Sequence, residues 1–411
     1  MTDSIAFTGI RAFDGNRTLT EVTVIIRDGI VTEITGAGRS PSMPPGTETI
    51  PGEGLTLLPG LIDSHVHVFS TEALQQNLVF GVTTVLDMFT NPQWAAQIRK
   101  EQIPITSRAD LFSAGILATA PGGHGTQFDL KIPTLAKPGE ATAWVDARIA
   151  EGSDYIKIIL DDGKEMGMCF PTLDEPTLRA LVHAAHARDM MVVTHVQALA
   201  AARLAIEAGT NGLAHVFTDA KPGDEFVTKM ASSGGFIIPT LAVWQSIGGE
   251  PADRSISGDE ALRPFLSPND LHNLGAPLSG FPNLSFNNAL ESVRKLHSTG
   301  VPVLAGTDAM NPGTAYGASL HRELELLTQA GLTPVQALAA ATSVPARVFG
   351  LEGRGVIAPG AKADLVLVSG DPTSDIRATR QIVGIWKDGV KVDRAAWREA
   401  LATRSREARR P

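Results

Sequence analysis

Two histidines, His65 and His67, stand two residues apart in the apolar run "LIDSHVHVF". In a strand, residues i and i+2 share a face, so both imidazoles would point one way and Val66 and Val68 the other. Two imidazoles on one buried face need partners, and a metal ion is a strong one. A lone buried histidine is more often a satisfied core residue, so the pair by itself leaves both readings open. Other apolar runs add to it. "DYIKIIL" places Lys157 on the face of Tyr155 and Ile159, with Ile156, Ile158 and Leu160 opposite. A lysine in the middle of such a strand is costly to bury with its charge. "VVTHV" carries His195 near its end, "GLAHV" carries His215, and "LAGTDA" carries Asp308. Together these are six metal-compatible groups on five apolar runs.

The elements that must position them alternate along the middle of the chain. Strand-like runs appear at "LPGLIDSHVHV", "GVTTVLDMF", "ADLFSAGIL", "DYIKIIL", "MMVVTHV", "GLAHV", "FIIPTLAV" and "PVLAGTDA". Between most of them lie segments with apolar residues at helical spacing, often ending in Gly, such as "DEPTLRALVHAAHARD" and "ALAAARLAIEAG". Eight strands alternating with helices predict an α/β fold, a (β/α)8 TIM barrel, whose active sites form at the C-terminal ends of the strands. An open doubly wound sheet is the alternative, but no glycine-rich dinucleotide fingerprint follows the first strand. Both chain ends read differently. "TVIIRDGIVTEI" and "IVGIWKDGVKV" are hairpins around Asp28-Gly29 and Asp388-Gly389. The predicted organisation is a small β-sandwich domain from residues 1–57 plus 355–400, a barrel over 58–354, and a tail at 401–411. Two long connections, one after the third strand and one from Trp244 to Pro282, read as functional loops, the second as an ordered apolar lid.

Composition limits the partners. The chain has 43% apolar and 19% charged residues, as a globular protein with a large core does. A net charge of −9 argues against a nucleic-acid surface. The single cysteine, Cys169, forbids an intramolecular disulfide and suggests a reducing compartment. No signal peptide and no run of membrane-spanning length is read, so the expected location is cytoplasmic, away from membranes. The triplets beginning at Asn16 and Asn283 therefore carry no glycosylation argument.

The chain resembles the amidohydrolase superfamily, in the branch with two metals bridged by a carboxylated lysine. The resemblance covers essentially the whole chain. It rests on "LLPGLIDSHVHV", "GTDA" and the closing "ATSVPARVFGLEGRGVIAPGAKADLVLVSGDP". Within that superfamily it is most similar to the group of imidazolonepropionase-like proteins and metal-dependent prolidase-type peptidases, through "GVTTVLDM", "GGHG" and "DYIKI". The resemblance implies that His65, His67 and Asp308 hold the more buried metal and that His195 and His215 hold the more exposed one. Lys157 would bridge both as N6-carboxylysine. Zinc is the default for two divalent ions in this nitrogen and oxygen set, with manganese, cobalt or iron as alternatives. A hydroxide bridging the metals would be the nucleophile, and Asp308 would move its proton to the leaving group. Homo-oligomers are common in such families.

Other residues fill in the expected site. His124, in "PGGHGTQ", is a candidate to hydrogen-bond a substrate carbonyl or oxyanion; the bland reading is a histidine on a glycine turn. Tyr155 should share the interior face of Lys157, in core packing or in substrate contact. Asp87 reads as structural. His183 and His186 read as ordinary helix residues, His272 as part of the lid, and His297 and His321 as surface residues. Cys169 is not expected to be a nucleophile. The function this implies is hydrolysis of a linear amide bond of a small molecule: a dipeptide, an N-acyl amino acid, or an aryl amide or urea with an apolar substituent. No carboxylate clamp is identified among Lys221, Lys229, Arg254 and Arg263. The alternatives are lactone, ester or phosphotriester hydrolysis on the same binuclear site, or cyclic-amide hydrolysis. A non-catalytic relative retained for assembly is disfavoured because all six ligand positions are filled.

Overall fold

The two hairpins form as their Asp-Gly turns predict, because both residues of each turn adopt positive φ: 51° and 78° at Asp28-Gly29, 48° and 77° at Asp388-Gly389. They belong to one sheet made from both ends of the chain. Its strands are β1 (Ser4–Phe13), β2 (Thr18–Arg27), β3 (Ile30–Thr35), β4 (Glu48–Pro51) and β5 (Leu55–Pro59). The middle of the chain then supplies β6 (Leu61–Val66), β7 (Val82–Asp87), β8 (Asp110–Ser113), β9 (Ile156–Ile159), β10 (Val192–His195), β11 (Gly212–Ala214) and β12 (Phe236–Ile238). The C-terminal part returns β13 (Leu365–Ser369), β14 (Ile382–Lys387) and β15 (Val390–Lys391) to the first sheet. The computed structural model describes residues 4–407 except 37, 40, 102–105, 129, 249–253, 276–280 and 282, with side chains described to residue 404.

The terminal sheet runs β15-β14-β13-β5-β1-β2-β3, with β4 beside β1. It is one continuous sheet, not two separate ones, and it curls until its ends meet. The turn at Gly29 touches Asp388, and residues 360–363 bond to both ends, through Val31 N–H to the Ala361 carbonyl at 2.8 Å and Gly389 N–H to that of Ala363 at 3.0 Å. Period-2 alternation then serves two cores. Leu57, Leu365, Leu367 and Trp386 enter the sheet's own core, where Trp386 meets Phe7 edge-on at 4.9 Å. Their neighbours Leu58, Val366, Val368 and Ile385 enter the large core of the central unit. β5 lies entirely within this sheet, so the expected boundary after residue 57 falls two residues early.

The central strands close on themselves. β6, β7 and β8 pair in parallel, as do β9, β10, β11 and β12. A parallel bridge from Ala118 to Ile158 joins the two sets on one side, and bridges from Val303 to Ile237 and Ala309 to Val66 join them on the other through residues 303–309. The last expected strand, "PVLAGTDA", is thus present as a bridged extended segment. "FIIPTLAV" divides: β12 ends at Ile238, and a helix, Leu241–Ile247, begins after Pro239 and Thr240. The helices lie where periodicity placed them. Glu175–His186 is N-capped by Asp174, whose side chain accepts from Thr177 N–H at 2.9 Å, and Leu199–Ala208 ends on Gly209 at φ 94°. Outward residues such as Ile156, Ile158, Val192 and Ile237 pack in the large core among these helices, and inward ones such as Tyr155, Val193, Phe236 and Ile238 form a separate core inside the ring. Among the described residues no helix is long and apolar enough to cross a membrane.

Candidate active site

Each strand brings its polar residue to the same end of the ring. β6 contributes His65, with His67 just beyond; β9 contributes Lys157, β10 His195, and β11 is followed directly by His215. Asp308 comes from the eighth segment, which approaches β6 closely because residue 306 is glycine. A Cβ there would lie 2.9 Å from His65 N and 2.6 Å from Ile238 Cγ2. Asp63 fastens the two segments: its carboxylate accepts from Thr307 Oγ1 at 2.7 Å, Thr307 N at 3.0 Å and His65 N at 3.2 Å. Burial lifts the Asp63 carboxyl to about 7 against the lowering effect of these donors. His215 and Asp308 also hold φ at 66° and 55°, as does Thr240 at 50°, a left-handed conformation costly for residues with a Cβ. Three such residues around one pocket mark where the fold tolerates strain.

All six predicted ligands line one cavity of about 780 Å³. His65 Nε2 lies 3.4 Å and His67 Nε2 3.0 Å from Asp308 Oδ1, and His215 Nδ1 lies 4.0 Å from Asp308 Oδ2. The His195 and His215 rings meet edge-on at 4.5 Å. Burial pushes the imidazoles away from protonation, His65 to about 3, His195 to about 4 and His215 well below its ordinary value, so their lone pairs are free. Asp308 is buried too, yet the neighbouring His65 and His215 hold it well below the carboxylate range. Burial brings Lys157 down to about 7, which makes a neutral amine accessible.

These residues fit a metal centre. His65 Nδ1 and Nε2, His67 Nδ1, Lys157 Nζ and Asp308 Oδ1 are buried without a hydrogen-bond partner; the His contacts to Asp308 Oδ1 lie within ion-pair range but lack hydrogen-bonding angles. Each unpaired buried polar atom costs about 1–3 kcal/mol, so five in one cluster are better explained as waiting ligand atoms. Ligand atoms of His65, His215 and Asp308 gather within 4.8 Å of one another. The set is nitrogen and oxygen, suited to divalent ions such as zinc. Thr240 Oγ1, 2.7 Å from His215 Nδ1, leaves Nε2 of that ring for a ligand.

His124 also lines the cavity, and the structure gives it a partner that strand periodicity did not reveal. Asp161 Oδ2 lies 2.5 Å from His124 Nδ1 and 3.6 Å from His195 Nε2, while Asp161 Oδ1 accepts from Gly163 N at 2.9 Å. Side-chain hydrogen bonds from His124 and His195 hold the Asp161 carboxyl far below its usual value despite burial. Asp161 follows the apolar run of β9 directly, the same strand-end placement that marked His195, and that rule would have found it.

Other expectations need correction. Tyr155 is interior but does not line the cavity: its hydroxyl donates to the Asp87 carbonyl at 2.7 Å and its ring meets Phe349 edge-on at 5.2 Å. It sits one strand pair below Lys157, in the packed layer. His321 is buried, not a surface residue, between Phe80 O and Thr379 Oγ1, both at 3.0 Å. His183, His186 and His272 are exposed and outside the cavity lining, and Cys169 is exposed. Asp87 is structural as expected, accepting from Val68 N and Ser113 Oγ at 2.9 and 2.6 Å. Of the expected lid, residues 249–253, 276–280 and 282 lie outside the described residues. Trp244 lines the cavity, whereas Phe265, Leu266 and Leu271 pack against Phe80, Ala315 and Ala318 elsewhere. Residues 408–411 of the expected tail are likewise outside the description; Leu401 before them packs with Trp397 on Val79.

Comparison with known proteins agrees with this architecture. A family model described as the amidohydrolase family matches residues 56–392. An imidazolonepropionase of Deinococcus deserti is 35% identical over 103 residues, which are 24% of this chain and 26% of that protein. The chain therefore matches only about a quarter of that curated relative's length. A solved Xaa-Pro dipeptidase with bound methionine superposes with a TM-score of 0.74 at 22% identity, covering 95% of this chain and all of that one. Phenylurea hydrolase B gives a TM-score of 0.74 at 20% identity, over 96% of this chain and 98% of its own.

Proposed function

This chain belongs to the amidohydrolase family, and from that premise we propose that it is a metal-dependent hydrolase of linear amide bonds in small molecules, built on a (β/α)8 barrel. The observation that carries the reading is the convergence of His65, His67, Lys157, His195, His215 and Asp308 on one cavity, with buried ligand atoms left unpaired. Two divalent cations there, zinc by the donor set, would lower the pKa of water and polarise a carbonyl.

The protein's own residues supply the rest. Lys157, as a neutral amine, attacks carbon dioxide; a nitrogen–carbon bond forms, a proton leaves, and the resulting carbamate gives the cluster an anion where a buried cation would be repelled. Asp308, ionised and pointing at His65 and His67, accepts the proton of the attacking water and delivers it to the leaving nitrogen. Asp161 holds His124 through Nδ1–H and offsets the charge of the imidazolium, in which Nε2–H faces the reaction side and donates to the developing oxyanion. Tyr155 has no part in this chemistry.

The test is turnover by zinc-loaded protein on dipeptides, N-acyl amino acids, aryl amides, ureas, cyclic amides, lactones and a phosphotriester, with Asp308→Asn as the blank. We expect cleavage of linear amides at least 100-fold above the blank. Turnover confined to lactones, esters or the phosphotriester would overturn the amide assignment, and wild-type rates in Asp308→Asn would overturn the proton-transfer role.

A further inference from the structure

The amide-hydrolase reading leaves open whether the substrate carries a charge, and the cavity bears on that. Lys157 is the only lysine or arginine side chain lining it among the described residues, and it belongs to the proposed metal cluster. The internal residues outside the description, 37, 40, 102–105, 129, 249–253, 276–280 and 282, include no lysine or arginine in the sequence either. Among the described residues no side-chain cation therefore remains at the cavity for a substrate carboxylate or phosphate. Behind the lining, in the loop after β9, Asp161, Asp162 and Glu165 gather carboxylate oxygens within 4.8 Å of one another, and the nearby Lys164 is exposed and paired with Asp162 at 2.5 Å. That same loop lines the cavity with Met166 and Met168.

Apart from the uncharged amides of Gln127, Gln197 and Asn311, the rest of the wall is apolar on both sides of the polar cluster. Phe89 stands 6.5 Å from the His67 ring, and Phe69 and Phe128 each lie 6.2 Å from Phe89. On the other side Trp244 meets the His215 ring at 5.9 Å. Phe69, Phe128, Met168 and Met310 are large apolar side chains left 41–55% exposed, and all four border this one cavity. Exposed apolar groups that converge on a pocket mark what the pocket binds.

Resting on the amide-hydrolase reading, we propose that the substrate is uncharged and carries apolar, preferably aromatic, groups on both sides of the scissile bond. Its class is N-aryl or N-alkyl amides and ureas without a free carboxylate. Dipeptides and N-acyl amino acids are excluded. A carboxylate on the apolar flanks, away from the metal cluster, would lose its water and gain no side-chain cation in return.

The experiment uses metal-loaded protein and three matched pairs: benzanilide with 4-benzamidobenzoate, N-benzoylphenylalaninamide with N-benzoylphenylalanine, and 1,3-diphenylurea with its 4-carboxy derivative. Each pair keeps the scissile bond and changes the charge. In every pair that is cleaved we expect kcat/KM to favour the neutral member at least thirtyfold. Equal or better turnover of the anion overturns the proposal and leaves the hydrolase reading standing. If no pair is cleaved, calorimetric binding of the same compounds decides. Tighter binding of the neutral members supports the proposal while the hydrolase reading fails; equal binding, or none by any compound, overturns it. Phe128→Arg, at an exposed position on the rim, should narrow the neutral-to-anion ratio at least tenfold in whichever measurement applies. An unchanged ratio overturns the role assigned to the rim.

Discussion

Replacing Asp161 by alanine isolates a polar contact in the site that the sequence did not announce. In the folded protein His124 Nδ1 and Asp161 Oδ2 are 2.5 Å apart, and the carboxylate is fixed from behind by Gly163 N at 2.9 Å. A hydrogen bond to a charged group contributes about 1.5–3 kcal/mol. If His124 stabilises charge only as it develops, that energy is lost from the transition state and not from the ground state. At roughly 1.4 kcal/mol per tenfold, Asp161→Ala should lower kcat about 10- to 150-fold, with KM changed by no more than about threefold. Asp161→Asn keeps an acceptor for Nδ1–H without the charge and should recover part of the loss. The assay is steady-state kinetics on the best amide from the panel, together with metal content by elemental analysis on the same preparations. Ligand atoms of His124, Asp161 and His195 lie within 4.8 Å of one another, close enough to hold an ion themselves. Loss of one metal equivalent in Asp161→Ala would therefore refute the positioning argument and make Asp161 a ligand. A rise in KM at constant kcat would refute it differently, by showing uniform binding.

Lys157→Ala should bind less metal than the wild type, and a short carboxylic acid should restore both occupancy and turnover; full occupancy without the acid would remove the carbamate from the account. Lys387 is fully buried against Asp110 and Asp364, both at 3.0 Å, where the terminal sheet meets β8. Lys387→Ala leaves the Asp364 carboxylate uncompensated and should cost about 3–5 kcal/mol in denaturant unfolding, and a loss below 1 kcal/mol would contradict the geometry. Glu323 is buried and accepts from Ala242 N at 2.8 Å, and burial lifts its carboxyl from 4.5 to about 8. The folded state then keeps a proton that the unfolded chain releases above 4.5, so its contribution to stability falls as pH rises from 4.5 to 8. Glu323→Gln should gain Tm relative to the wild type progressively across that window, and a constant offset would refute the assignment.

The six ligand positions were legible because strand period and strand-end placement are both local facts. His65 and His67 alternate with valines, and Lys157 alternates with isoleucines that reach the outer core. What alternation cannot give is depth along the strand. Tyr155 and Lys157 share a face, but two residues of rise, about 6.6 Å, separate a packed layer from a reactive one. His321 shows a second limit. Its helix, Ala318–Gln329, reads as an outer helix, yet Thr379, from the segment that leads into β14, covers it across 58 residues of sequence. Asp161 escaped because "DDG" after an apolar run reads as an ordinary turn; strand-end placement marks its position, but only the position of His124 in space gives that carboxylate its task. The connection after β12 read as a lid from its aromatic content. Its Phe265 instead serves the joint with the C-terminal helix, accepting from Trp397 Nε1 at 3.1 Å through its carbonyl.

The terminal sheet has a consequence for how the chain must be made. β5 pairs with β1 on one side and with β13 on the other, and β13 begins at Leu365. During synthesis the first strands leave the ribosome with one edge of β5 bare while roughly 300 further residues are added. At about 5–20 residues per second that wait is on the order of 15–60 s. The ring faces the same delay, since the free edge of β6 is covered by residues 305–309. An unpaired edge in a nascent chain invites pairing with a neighbouring copy. The early strands therefore need either rapid curling of β1–β4 over their own core or a chaperone that shields them, and release of the chain before β13 would leave a species prone to aggregate.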